Sequence, residues 1–143
     1  MKYIYLILII YPFCLGYSRE LKWSKPVNGI TCALKTDKTT VKLYHPLVIE
    51  FLVKNTTDKT IEIPKPDIGT FVLYDGDEGG KVGEPGGLDY WVKIKPNEVY
   101  THKFEHKWTN KKGHFILKAT LRSRFKADKF SPIASLEKNI KVE

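Results

Sequence analysis

The clearest strand pattern in the chain is Gly113-His114-Phe115-Ile116-Leu117-Lys118-Ala119-Thr120-Leu121. Successive side chains of a strand point to opposite faces, so every second residue of this stretch shares a face. One face is apolar and is continued by a later aromatic residue: Phe115, Leu117, Ala119, Leu121 and Phe125. The other face is mostly polar: His114, Ile116, Lys118, Thr120, Arg122 and Arg124. The alternation predicts a strand with one face in a core and the other in solvent.

The same period-two pattern occurs on both sides of this stretch. A second strand is predicted over residues 47–54, and its inward side chains should share one core with those of the first: Leu47, Ile49, Phe51, Val53, Phe115, Leu117, Ala119 and Leu121. Further short strands are predicted around 30–34, 60–63, 70–74, 90–94, 99–106 and 136–142, with turns at 55–59 and 95–98. No helical stretch of ten or more residues is found after the first eighteen. Seven or eight short strands predict an all-β, antiparallel two-sheet sandwich.

The first eighteen residues differ from the rest. Lys2 precedes an apolar run, residues 3–15, and the small residues Gly16 and Ser18 follow it. This order is typical of a secretory signal peptide. Thirteen helical residues cover about 20 Å, less than the ~30 Å hydrocarbon core, which disfavours an uncleaved anchor. We therefore predict a signal peptide over 1–18, a single domain over 19–143, and a secreted or periplasmic location without stable membrane insertion after cleavage.

Composition excludes several classes of protein. The chain has 143 residues, 42% hydrophobic and 28% charged, which is typical of one globular domain and not of a disordered or coiled-coil chain. Its two cysteines exclude a disulfide-rich miniprotein and a multi-cysteine zinc site. Loss of residues 1–18 removes one lysine and no acid, so the net charge falls from +8 to +7. Cys32 is then the single cysteine, and we expect it to be buried beside Ile30 and Leu34.

Several stretches together resemble a known kind of domain. They are the opening residues 23–30, Leu34, Leu43, residues 49–55, residues 94–98, residues 113–119 and Ser135. The chain resembles the immunoglobulin-like or fibronectin-III-like sandwich domains of exported bacterial proteins. It departs from them at Phe115, where such domains often have tyrosine, and it lacks the antibody-type cysteine pair. The resemblance implies an immunoglobulin-like sandwich of seven or eight strands in an exported setting, and it implies no activity.

Histidine spacing provides a first metal-site hypothesis. His102 and His106 are four residues apart on a predicted strand, where they share a face but lie about 13 Å apart, too far for one ion. Glu105 points the other way. We therefore expect two solvent-facing histidines, and the alternative is a small secreted metal-dependent enzyme that uses them. The sequence predicts no catalytic, cofactor-binding or metal-binding residue, and hence no enzyme.

An acidic, glycine-rich stretch follows the strand at 70–74. Three carboxylates within Asp75–Glu78 could hold calcium weakly, but the spacing does not match an EF-hand, so a solvated loop is expected. Residues 75–87 are predicted to form one long exposed loop because they are rich in glycine. That loop supports a further alternative, a secreted protease-inhibitor-like module. Neither a nucleophile elbow nor a phosphate-binding glycine loop is present.

The basic and aromatic residues do not identify one binding partner. Lysines and arginines gather near the strand at 113–125 and could attract a polyanion: Lys107, Lys111, Lys112, Lys118, Arg122, Arg124, Lys126 and Lys129. A solvated lysine-rich face is the favoured interpretation of this basic group. Trp91, beside Tyr90, could stack on a carbohydrate, although core filling is expected for at least two of the three tryptophans. Asn55-Thr56-Thr57 matches the N-glycosylation pattern.

These observations favour an exported, non-catalytic β-sandwich domain that acts in binding, adhesion or envelope structure. The expected partner is an unknown protein, or a glycan or other polyanion. Nucleic acid is not expected, because an exported protein seldom meets it and the strand face carries no interleaved aromatic platform. No cofactor is expected.

Overall fold

The computed structural model describes residues 21–66, 70–83, 91–124 and 130–143. These residues form ten strands and no helix, so the prediction of an all-β chain is confirmed, and none of them provides a helix able to cross a membrane. The strands are β1 (Ile30–Thr36), β2 (Thr40–Val41), β3 (Pro46–Asn55), β4 (Ile61–Pro64), β5 (Phe71–Asp75), β6 (Glu78–Lys81), β7 (Trp91–Ile94), β8 (Val99–Lys107), β9 (Gly113–Arg124) and β10 (Phe130–Val142). The predicted signal peptide, 1–18, lies outside the described residues.

The strands form a three-stranded sheet in the order β1-β3-β8, a five-stranded sheet in the order β2-β10-β9-β5-β6, and the pair β4-β7. Neighbours are antiparallel except β2 and β10, which run parallel with Thr40 opposite Lys141. The two larger sheets are joined by ring contacts. Phe71 of β5 lies 5.7 Å from Phe51 of β3 and 4.7 Å from Phe104 of β8, centroid to centroid. The arrangement is sandwich-like.

The predicted core is confirmed. The eight residues expected to share it are all at most 5% exposed: Leu47, Ile49, Phe51, Val53, Phe115, Leu117, Ala119 and Leu121. Along β3 buried and half-buried residues alternate over all ten positions, which is the period of a strand with one face in a core. Burial of each large apolar side chain stabilises the fold by about 1.5–3 kcal/mol. Cys32 is buried in the same core, as expected.

A tight hairpin precedes β1. Asn28 and Gly29 both have positive φ, 50° and 73°, and Val27 and Ile30 exchange two backbone hydrogen bonds of 2.9 and 3.0 Å. This is the type I′ turn that Asn-Gly favours. Glycine is required at position 29 for a second reason, since an added Cβ would lie 2.1 Å from the Thr57 side chain.

The residues before that turn cover the edge of β1. Trp23 pairs with Ala33, and the Ser24 amide donates to the Cys32 carbonyl at 2.7 Å. In return the Cys32 amide donates to the Ser24 hydroxyl at 3.0 Å. The segment 23–27 therefore protects backbone groups that an open sheet edge would expose to another chain.

The glycine-rich stretch after β5 was predicted to be a loop, and in part that prediction is wrong. Glu78–Lys81 form β6, which pairs with β5 through a two-residue turn at Gly76 and Asp77. Gly76 has φ 61° and Asp77 does not have positive φ, as in the type II′ turn that suits hairpins. Strand β6 has a composition with low strand propensity, and it forms because the hairpin places it beside β5. Residues 84–87, the later part of the predicted loop, lie outside the described residues.

Asn55 joins two turns at one end of the three-stranded sheet. Its side chain is fully buried; Nδ2 donates to the carbonyls of Lys59 (2.7 Å) and Ile94 (3.0 Å), and Oδ1 accepts from the Thr57 amide (2.9 Å) and hydroxyl (2.7 Å). Its backbone pairs with the turn after β7, where the Asn97 amide donates to the Asn55 carbonyl. The glycosylation pattern therefore falls on an amide that the folded chain encloses.

Candidate functional site

The two central histidines lie on the inner face of β8. Side chains at even positions are buried or half-buried and point toward the core: Tyr100, His102, Phe104, His106 and, just after the strand, Trp108. Those at odd positions are exposed: Val99, Thr101, Lys103, Glu105 and Lys107. The prediction that both histidines share a face opposite Glu105 is confirmed. The prediction that they face solvent is wrong, because aromatic partners hold them inward.

Each histidine packs against rings. The His102 ring stacks on Phe71 at 5.6 Å and 15°, and the His106 ring meets Trp108 edge-on at 4.5 Å. Burial lowers the pKa of His106 below its usual 6.5. Phe104 separates the two imidazoles, and four strand residues span about 13 Å. No group of three or more His, Cys, Asp or Glu within the described ranges could hold a metal ion.

One of the acidic residues of the stretch considered for calcium is held in an ion pair. Asp75 forms an ion pair with the exposed Lys111, which raises the pKa of that lysine. The stretch considered for calcium is thus a hairpin turn with one of its three carboxylates already neutralised by an ammonium group. This arrangement adds no support to a calcium site.

The predicted basic group does not form one patch. Lys107 is exposed on the outer face of the three-stranded sheet, whereas Lys118 lies on the outer face of the five-stranded sheet. Lys111 and Lys112 are exposed in the connection between them. Lys126 and Lys129 lie outside the described residues. Charge is therefore distributed over both faces of the molecule.

The outer face of the three-stranded sheet is an ionic ladder. Glu50 on the central strand lies 3.1 Å from the Lys35 ammonium on one side and 3.7 Å from that of Lys103 on the other. Interleaved charges of this kind keep a sheet face solvated. The apolar Leu52 lies two residues further along β3, between Ala33 and Thr101.

The outer face of the five-stranded sheet is different, and we call it the Tyr74 face. Its centre is apolar: Tyr74 lies opposite Ile116 on one side and Gly79 on the other, and Val72 is next along β5. Ile116 is 41% exposed. The surrounding positions carry hydroxyl, amide, ammonium and carboxylate groups: Lys81, Lys118, Thr120, Ser135, Glu137 and Asn139.

The Tyr74 ring leans over the neighbouring strand. A Cβ built on Gly79 would lie 2.8 Å from Tyr74 Cε1 and 3.1 Å from Val72 Cγ1, so only glycine leaves room for the ring there. An aromatic ring laid across a strand glycine is a known way of stabilising a weak edge strand.

The polar groups of this face are suited to hydrogen bonding, and they lie at different distances from the ring. Lys118 lies two residues from Ile116 and forms an ion pair of 3.2 Å with Glu137. The hydroxyl oxygens of Thr120 and Ser135 lie 3.5 Å apart, but Thr120 is four strand residues, about 13 Å, from Ile116. An amphipathic aromatic beside such groups can pack on the apolar face of a sugar ring while the polar side chains bond its hydroxyls. The Tyr74 face therefore has the chemistry of a carbohydrate-binding surface.

Sequence reasoning placed Tyr74 in a strand but did not select it as a site residue. The usable signal was Asp75-Gly76 followed by Gly79, a hairpin turn with a glycine opposite an aromatic. Sequence reasoning selected Trp91 as a residue that could stack on a carbohydrate. Trp91 is 53% exposed on β7, and its neighbour Tyr90 lies outside the described residues. The expectation that at least two tryptophans fill the core is wrong, because Trp23 is 38% exposed and only Trp108 of the three is buried.

Comparison with known proteins identifies a fold and no family. The C-terminal domain of wzt matches with a TM-score of 0.55 at 12% identity, over 90% of this chain and 81% of that domain, which shows a shared fold alone. Two β-glucosidases, from Erythrobacter marinus and Listeria innocua, match with TM-scores of 0.48 and 0.47 at 16% and 17% identity. The matches cover 80% and 78% of this chain but 15% and 16% of those enzymes. No family model and no curated protein matches the chain.

Proposed function

We propose that this chain is an exported, non-catalytic domain with an immunoglobulin-like sandwich fold, and that it binds a glycan through the Tyr74 face. The observation that carries the proposal is the edge of the Tyr74 ring against Gly79, beside the exposed Ile116 on a sheet face that also carries Lys81 and Lys118. The apolar run after Lys2 supports export.

The choice of this face follows from a comparison of the molecule's surfaces. The outer face of the three-stranded sheet is occupied by the Lys35–Glu50–Lys103 ladder. Trp91 is more exposed than Tyr74, but it lies on a four-residue strand with Pro64 as its cross-strand neighbour. Tyr74, by contrast, has aliphatic neighbours and polar groups on both sides, which a sugar needs for combined stacking and hydrogen bonding.

The positions of the histidines support a non-catalytic role. His102 and His106 pack against Phe71 and Trp108 on the inner face of β8, while His114 is exposed on the outer face of β9. An active site needs polar groups that converge on one concavity. Three histidines on two different sheets do not favour the enzyme alternative, and the β5–β6 hairpin replaces part of the loop on which the inhibitor alternative depended.

A glycan-binding assay with matched aromatic variants tests the proposal. The exported protein is incubated with immobilised envelope polysaccharides, and its retention is compared with that of Tyr74→Val, which keeps a residue of high strand propensity but removes the ring. Loss of the stacking ring should weaken binding about tenfold. Tyr44→Ala serves as the control, because Tyr44 is 67% exposed in the connection before β3. Thermal melting shows that each variant is folded.

Two results would count against the proposal. Unchanged retention of a folded Tyr74→Val variant would remove Tyr74 from the site, and loss of retention in Trp91→Ala alone would place the site on β7. Export is tested separately by N-terminal sequencing of the protein recovered outside the cytoplasm, which should begin after Ser18.

A further inference from the structure

Two lysines flank Tyr74 at equivalent positions. Tyr74 lies opposite Gly79 of β6 and Ile116 of β9, and two residues further along those strands are Lys81 and Lys118. Both are diagonal neighbours of Tyr74 on the same sheet face, at about 7–8 Å, within reach of long side chains. Both lysines are the direct cross-strand partners of Val72, so they lie on either side of β5 at the residue position next to Tyr74 on this face.

The two lysines differ in their electrostatic state. Lys118 is half-buried and forms an ion pair with Glu137 at 3.2 Å. Lys81 is exposed on the edge strand and makes no ion pair with any residue that the structure describes. On the same hairpin, Asp75 is paired with Lys111, and Glu78 lies opposite Asp75 on the other face of the two strands. Among the described residues, the β6 side of the Tyr74 face therefore presents the ammonium group of Lys81 without an ion-pair partner.

From this asymmetry we infer that the ligand is an acidic polysaccharide, one whose pyranose ring stacks on Tyr74 while its carboxylate pairs with Lys81. The inference rests on the proposed glycan-binding function and adds the charge of the sugar. A carboxylate attached to a sugar ring projects beyond the ring edge, which is where the diagonal lysine can meet it. The net charge of +7 that remains after loss of residues 1–18 also favours the approach of a polyanion.

Defined polymers test the inference. The dissociation constants of the exported protein for oligogalacturonate, sulfated dextran, neutral dextran and polyglutamate are measured at low and high salt. Oligogalacturonate should bind more tightly than neutral dextran, and salt should weaken its binding. Polyglutamate carries carboxylates without sugar rings, and sulfated dextran carries a different anion on a sugar. Both should bind more weakly than oligogalacturonate.

A charge-matched pair of variants assigns the effect to one residue. Lys81→Gln should weaken oligogalacturonate binding about tenfold and reduce its salt dependence, and it should weaken dextran binding much less, because glutamine can still donate a hydrogen bond to a sugar hydroxyl. Lys93→Gln removes the same charge from the exposed side of β7, where Lys93 pairs with Glu62. This variant should change neither the binding of oligogalacturonate nor that of dextran. Equal losses in the two variants would overturn the role of Lys81.

The remaining outcomes separate the two proposals. Wild-type binding of dextran as tight as that of oligogalacturonate would overturn the acidic ligand and leave the glycan-binding function in place. Polyglutamate binding as tight as oligogalacturonate binding would show that charge alone is recognised, and tighter binding of sulfated dextran would reject the carboxylate. Failure of every polysaccharide to bind would overturn both proposals together.

Discussion

Replacement of Asn55 by alanine should lower the free energy of unfolding by much more than a substitution at an exposed turn residue does. The side chain is fully buried and makes four hydrogen bonds, to Lys59, Ile94 and Thr57. Each is worth about 0.5–1.5 kcal/mol net, which gives roughly 2–6 kcal/mol. Lys59 and Thr57 lie at the turn, where water can replace the amide, but the bond to the Ile94 carbonyl is buried. We therefore expect a loss of about 2–4 kcal/mol.

Urea unfolding monitored by tryptophan fluorescence measures this loss, and the melting temperature should fall by about 10 °C. Asp58→Ala, an exposed neighbour in the same turn, is the control and should change stability by less than about 0.5 kcal/mol. Asn55→Asp keeps the acceptors for Thr57 but sets a carboxylate against two carbonyls, so at neutral pH it should be at least as unstable as Asn55→Ala. An Asn55→Ala protein within about 1 kcal/mol of the wild type would refute the argument.

Other predictions concern the core, the buried thiol and pH. Phe51→Ala or Leu117→Ala should each destabilise by about 2–5 kcal/mol in the same urea assay, and no change in both would contradict the observed packing. Burial raises the pKa of the Cys32 thiol to about 12, so iodoacetamide should label it only as fast as the chain unfolds; rapid labelling of the native protein would show otherwise. Because burial lowers the pKa of His106, the folded chain binds fewer protons than the unfolded chain below pH 6.5, and stability should fall as the pH decreases through that value. His106→Gln should lack this part of the pH dependence, and an identical pH profile would disprove it.

The period-two alternation of apolar residues was sufficient to predict the core residues, because this alternation depends only on the local geometry of a strand. On β3 and β9 the residues predicted to face inward do so, since a strand with one buried face fixes every second side chain. The same rule gave the shared face of His102 and His106. The alternation also indicates which face of β8 is inward, because aromatic side chains share the histidines' face and charged side chains share the other. The expectation of solvent-facing histidines did not use that difference.

The two strands that the sequence analysis did not predict, β2 and β6, lack the residue pattern typical of a strand. Strand β6 contains Gly79 and Gly80, and its order comes from the hairpin turn and from Tyr74 of the neighbouring strand. Strand β2 has two residues and is defined by its parallel pairing with β10. The hairpin at Asn28-Gly29 was predictable from its dipeptide alone. The Tyr74 face was not, because it combines residues from β5, β6, β9 and β10 that only the strand order brings together.

The parallel pairing of β2 with β10 has a consequence for how fast the domain forms. Thr40 pairs with Lys141, 101 positions later, and the Leu43 amide donates to the Glu143 carbonyl. Contacts between residues so distant in sequence require closure of a long loop, and folds rich in them form in milliseconds to seconds instead of microseconds. The five-stranded sheet cannot be completed until residues 141–143 have been synthesised. A nascent chain therefore has an extended period in which it remains unfolded, the state in which a translocation channel would have to receive it.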